Sequence, residues 1–144
     1  MRLNTLFGAL CLIALAGTAL AQANVITERR AGLKRAGEAM DQMKVLVENK
    51  SDPRPAVRQI DEMIGFFTGM PKLFPAGSDK GDTKAKPEIW QNFSDFEAID
   101  MRLVAHLKLL RNAAEGGDVA AFEAAYKATG PQFCSSCHRP YRNR

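Results

Sequence analysis

Apolar side chains recur at spacings of three, four and seven residues through most of this chain, and nowhere do they alternate over a useful length. That pattern predicts helices and no sheet. A first helix is expected from Val25 to Asn49, with Ile26, Leu33, Ala36, Gly37, Met40, Met43 and Val47 on its apolar side and Lys and Glu opposite. Arg29 lies one turn before Leu33 and is expected on the same interior face. The stretch "SDPRP" closes this helix and opens a second, with Asp52 as N-cap and Pro53 or Pro55 in the first turn. Val57, Ile60, Ile64 and Phe67 keep the period until Gly69, where Met70-Pro71 turns the backbone away from helix.

Residues 70–86 have no period and carry the turn formers of "FPAG" and "SDKGD", so they read as a long loop. A third helix is expected from Pro87-Glu88 to Gly116-Gly117, using Trp90, Phe93, Phe96, Leu103, Leu107 and Leu110. Asp118 is the expected N-cap of a fourth, which uses Val119, Phe122 and Tyr126. Gly130-Pro131 predicts a bend or restart in it. Short connections between helices one and two and between three and four favour antiparallel neighbours. The fold class predicted is therefore all-α, an antiparallel up-down-up-down four-helix bundle.

Ahead of the bundle, residues 1–23 contain one Arg, no acidic residue, an apolar run from Leu6 to Leu20 and the ending Ala21-Gln22-Ala23. This is the form of a secretory signal peptide. The run is short for a bilayer span and is broken by Gly8 and Gly17. Cys11 follows Leu10, which does not suit a lipid-anchored cysteine. Residues 24–144 remain as one domain, expected to be exported to a periplasm and, with no second run of membrane length, not to span a membrane. The net charge is +4, or +3 once Arg2 is removed with the leader. That is too mild and dispersed for nucleic acid, and fits an acidic redox partner about as well as none.

The chemistry concentrates near the C-terminus. "FCSSCH", Phe133 to His138, holds both cysteines of residues 24–144 and one of the two histidines. A disulfide between Cys134 and Cys137 would close too short a loop to stabilise much. On a helix, Cys134, Cys137 and His138 stand at i, i+3 and i+4 and share one face. Two thiols so placed can form thioethers to the vinyl groups of one haem while the next imidazole coordinates its iron, and C-x-x-C-H is the signature of that attachment. A thioredoxin-type dithiol expects alternating strands and helices. Zinc needs a fourth ligand, and His106 is the only other histidine. The favoured reading is one covalent haem c per chain, with the aromatic and Met residues of the helices as ordinary core.

With these pieces in order, residues 24–144 resemble the class II c-type cytochromes, the cytochrome c prime family of four-helix-bundle haem proteins. The resemblance rests on "CSSCHRPYR", on "AKPEIWQNFSDFEA", on "LFPAGSDKGDTKAKPE" before it and on "ERRAGLKRAGEAM" in the first helix. It implies that Cys134 and Cys137 are the thioether attachments and His138 the axial iron ligand. It implies further that Arg29 approaches a haem propionate, with Arg30 beside it as a competitor, that Leu33 lies over the distal face of the iron and that Arg142 lies on the proximal side. Pro131 and Pro140 depart from the family pattern near the motif.

In the family, a methionine at the Leu33 place makes a six-coordinate low-spin iron, whereas an apolar residue leaves it five-coordinate. Leucine cannot coordinate iron, so the expected function is electron transfer with binding of small gases such as nitric oxide or carbon monoxide. The alternative is a low-spin carrier using Met40 or Met43 as sixth ligand. No distal constellation for peroxidase-like catalysis stands near Leu33, so an enzyme is not expected. The resemblance also implies a homodimer; the redox partner protein is not identified by it.

Overall fold

A computed structural model describes the backbone of residues 4–144 and the side chains of residues 23–144. The leader expected over residues 1–23, Cys11 included, falls almost wholly outside the described side chains. Among the described residues the helices are α1 (Asn4–Glu48), α2 (Val57–Gly69), α3 (Glu88–Gln91), α4 (Phe93–Glu115), α5 (Val119–Ala128) and α6 (Ser135–Tyr141). Short 3-10 turns, Arg54–Ala56 and Met70–Leu73, flank α2, and a π-helical turn, Thr129–Cys134, joins α5 to α6. Helix α1 packs on α2 and α5, while α4 packs on α2, α5 and α6, giving the four-helix bundle. The one β-pairing among the described residues is a single antiparallel bridge, Ala85 to Arg142.

The buried face of α1 is set by Ile26, Arg29, Gly32, Ala36, Ala39 and Met43. Leu33 and Gly37, expected on that face, are exposed instead. The small residues explain the difference, because they let α2 come close and so choose which side of α1 turns inward. At Gly32 any Cβ would stand inside the Phe66 ring of α2, so only glycine permits this approach. Met43, Ile60, Leu107 and Leu110 fill the centre, each with no exposed surface. Burying a side chain of this size contributes about 1.5–3 kcal/mol.

The helix ends follow local chemistry. Asp52 Oδ1 accepts the Arg54 N–H at 3.0 Å, and Asp118 Oδ1 accepts the Ala121 N–H at 2.9 Å as the N-cap of α5. Gly117 ends α4 with φ of +68°, and its Cβ position is already occupied by the Arg54 guanidinium. The expected third helix is divided. Asn92, at φ −128° and ψ 46°, stops α3 after four residues and then serves as the N-cap position of α4. Its side-chain amide donates to the Glu88 carbonyl at 3.3 Å, the local competition with helix that asparagine offers. The expected bend at Gly130-Pro131 is the π turn, where the Ser135 N–H reaches back to the Gly130 carbonyl. A wider turn accommodates a proline ring that a regular α turn would exclude.

Candidate functional site

Residues 73–86, most of the stretch 70–86 read from sequence as an irregular loop, are tied down on three sides. The deeply buried Arg29 binds them from α1 through four hydrogen bonds. Trp90 Nε1 donates to the carbonyls of Phe74 and Pro75, both at 3.0 Å. At the far end, the Lys86 N–H donates to the Tyr141 carbonyl at 3.0 Å and the Asn143 N–H to the Lys84 carbonyl at 2.8 Å. The loop thus becomes one wall of a cavity of about 530 Å³, whose other sides come from α1, α6 and single residues of the Met70–Leu73 turn, α3 and α4.

Leu33, Arg29 and Arg30 from α1 line this cavity together with Cys137, His138 and Arg142 from the C-terminal segment. Cys134 stands three residues before Cys137 and is partly buried, as Cys137 is. Residues about a hundred positions apart in sequence therefore meet at one site. The rest of the lining is apolar, with Met70, Phe74, Ile89, Phe96 and Tyr141 among it. Phe96 is the hub, with ring centroids 4.8 Å from Phe74, 5.6 Å from Tyr141 and 5.9 Å from Phe93. The Tyr141 hydroxyl donates to Asp95 Oδ2 at 2.7 Å and fixes the turn of chain that follows His138.

These residues fit a haem. The cavity is apolar inside with cations at Arg30, Lys34, Lys84 and Arg142 around it, as an apolar macrocycle with two carboxylates requires. Leu33 is 37% exposed, an apolar side chain that the protein itself leaves uncovered, and His138 is exposed at the same cavity. Although His138 keeps an exposed surface, the protein packed around its ring partly desolvates it, and this, with the Arg142 charge second, lowers its pKa and favours the neutral imidazole that coordinates iron. Burial pushes the Cys137 thiol up to about 12, with Asp100, Cys134 and Asp95 adding to it, and raises Cys134 as well. Both thiols are neutral and unpaired.

The other candidates separate from the site. Met43 is fully buried in the core, and neither it nor Met40 lines the cavity. Met70, which the periodicity passed over because it opens an irregular stretch, does. His106 does not join Cys134, Cys137 and His138 in a metal-binding group among the described residues. Its Nε2 lies 3.0 Å from both the Ala125 carbonyl and the Thr129 hydroxyl, and its ring stacks on Phe133 at 3.9 Å. It fastens α4 to the turn that leads into the motif. A tie this specific has no signature in spacing.

Asp100 was also missed. It is 4% exposed and its Oδ1 has no hydrogen-bond partner among the described residues. Burial first, then the Glu97 charge, raises its pKa to about 7. A carboxyl raised in the folded state resists ionisation there, so stability falls as pH climbs from about 4 to about 7 and the penalty persists above. Asp100→Asn is expected to raise stability by about 1–2 kcal/mol at pH 8, after allowance for screening, with the gain vanishing toward pH 4. Urea denaturation at the two pH values checks this, and an equal gain at both would contradict it.

A helical bundle with the Cys137 thiol and the His138 imidazole lining an apolar cavity rimmed by cations, and a second thiol, Cys134, three residues earlier in the chain, defines a bundle-type c cytochrome. The sequence profile of the Cytochrome C' family matches residues 24–142. The cytochrome c' of Rhodopseudomonas palustris is 34% identical over 132 residues, covering 88% of this chain and 86% of that protein. The cytochrome c-556 of Agrobacterium tumefaciens strain B2A is 31% identical over 122 residues, covering 83% and 98%. Among solved structures, a cytochrome c' described as having ligand-controlled dimer dissociation superposes with a TM-score of 0.79 at 29% identity, covering 85% of this chain and 97% of that one. The cytochrome c' of Thermochromatium tepidum gives 0.77 at 28%, with the same coverage. This chain belongs to the cytochrome c' family, whose members carry covalently bound haem c, and it is an electron-transfer haem cytochrome.

Proposed function

We propose that this chain is a periplasmic cytochrome that carries single electrons and binds small neutral gases, nitric oxide or carbon monoxide, at a five-coordinate iron. The observation that carries the reading is the meeting of Leu33 with Cys137 and His138 at one apolar cavity. Cys134 and Cys137 hold the haem covalently and His138 ligates its iron. Bound there, the haem supplies one-electron chemistry and an open coordination position. Leu33 shields that position with hydrocarbon, offers no hydrogen bond and excludes bulky ligands. Arg29 meets a propionate through Nε, the one N–H of its guanidinium without a partner among the described residues. Arg142 stands on the proximal side, where its charge favours the neutral form of His138.

The leader-like residues 1–23 support export, and the remainder is read as one cytochrome domain acting as a carrier and ligand binder, not an enzyme. The structural relative with ligand-controlled dimer dissociation supports a homodimer for this chain too. One observation favours a second, six-coordinate reading, namely that Met70 lines the cavity.

Expression with a working c-type maturation system should give a pyridine haemochrome spectrum of a doubly attached haem that stays with the denatured chain. A Cys134→Ser, Cys137→Ser variant should lose it into acidified organic solvent. A parent chain without covalent haem under these conditions would defeat the assignment.

A further inference from the structure

Arg29 does more at this site than the single N–H left to Nε can account for. It is 2% exposed, and its two terminal nitrogens are saturated. Nη1 donates to the Leu73 carbonyl at 3.1 Å and the Ser78 hydroxyl at 2.9 Å. Nη2 donates to the Ser78 carbonyl and the Thr83 hydroxyl, each at 2.6 Å. The guanidinium carbon also lies 4.5 Å from the centroid of the Phe74 ring. One side chain of α1 therefore holds the loop at 73, 74, 78 and 83. Next to it, Arg30 pairs with the Asp82 carboxylate and donates to the Asp82 carbonyl at 3.2 Å.

The loop segment so held is the one that walls the cavity, through Phe74, Asp82, Thr83, Lys84 and Ala85. Its far end is already bonded to Tyr141 and Asn143, beyond His138. Arg29 is the tie at the other end, one helical turn from Leu33. Burial lowers its pKa, yet a guanidinium keeps its proton, so all five donors remain available. A lysine would conserve the charge but not the planar fork, and one ammonium cannot reach four acceptors spread over eleven residues.

We infer that Arg29 is a positioning residue, whose four terminal N–H groups fix the 73–83 segment as the cavity wall and thereby set the cofactor's exposure to water. The inference rests on the haem reading above. It deepens that reading, because solvent exposure is one of the levers on a haem potential.

Haem-loaded protein tests it by hydrogen exchange and by potentiometry. Arg29→Lys, and separately the Ser78→Ala, Thr83→Val double variant, should speed amide exchange in peptides spanning 73–86 at least tenfold while leaving α4 unchanged. Both should also move the reduction potential to lower values, since water favours the oxidised, more charged state. The double variant leaves Arg29 and its charge in place and trims only the loop side, so it remains informative if Arg29→Lys folds poorly. Loop exchange unchanged in the double variant would overturn the inference, whatever the potential does. Failure of the haem reading itself registers differently, as absence of covalent haem in the parent.

Discussion

A Leu33→Met variant is expected to turn the ferric protein low-spin, with a methionine-sulfur absorption band, and to slow carbon monoxide binding by about tenfold or more. The exchange keeps hydrophobicity and approximate volume, so its direct cost to the fold should stay below about 1.5 kcal/mol. What it adds is a soft thioether sulfur on a side chain that lines the cavity with His138 and is already 37% exposed there. A gas must then displace that sulfur, and a tenfold loss corresponds to about 1.4 kcal/mol of displacement. Met70→Leu is the control. If the parent is high-spin and Met70→Leu changes nothing, the five-coordinate reading stands. A low-spin parent that becomes high-spin in Met70→Leu would transfer the assignment to Met70.

Phe96→Ala should cost about 3–5 kcal/mol of stability, the range for deleting a large buried aromatic. Phe96 is 1% exposed and meets Phe74 edge-on with the ring planes at 62°, and Tyr141 at 89°. Its removal would loosen three parts together, namely the loop through Phe74, the C-terminal segment through Tyr141 and α4 itself. Against a total stability of about 5–15 kcal/mol for a domain, that loss is severe. Phe96→Leu should recover much of it. Urea denaturation of the haem-loaded protein measures both, and a loss under 1 kcal/mol for alanine would show that the aromatic cluster does not join these parts.

Much of this was legible from local pattern. The bundle helices, the Asp118 cap and the Gly117 stop all depend on residues within a few positions of one another. What escaped depends on contacts far apart in the chain. Arg29 finds its partners 44 to 54 residues away, and nothing in a glycine-rich loop announces that its carbonyls and hydroxyls will converge on one guanidinium. The break at Asn92 was hidden because Trp90, Phe93 and Phe96 keep an apolar period across it. Leu33 was read as interior because its neighbours are, whereas Gly32 and Phe66 decide which side of α1 meets the bundle. In each case the missing term was a tertiary contact that overrode or completed a local preference.

The π turn at Thr129–Cys134 has a geometric consequence for the motif it precedes. An α-helix advances about 100° per residue, and a widened turn accommodates roughly one residue more than an α turn does. Everything after it is therefore rotated by about 100° relative to an uninterrupted continuation of α5. Cys137 and His138, downstream of that offset, line the cavity, while Phe122 upstream and Thr129 at the start of the turn are buried in the bundle. The turn works as a phase shifter: the Pro131 ring favours the wider turn, and the count of residues in it sets the angle. A chain shortened by one residue between 129 and 134 would keep every letter of "CSSCH" and still aim the tether away from the pocket.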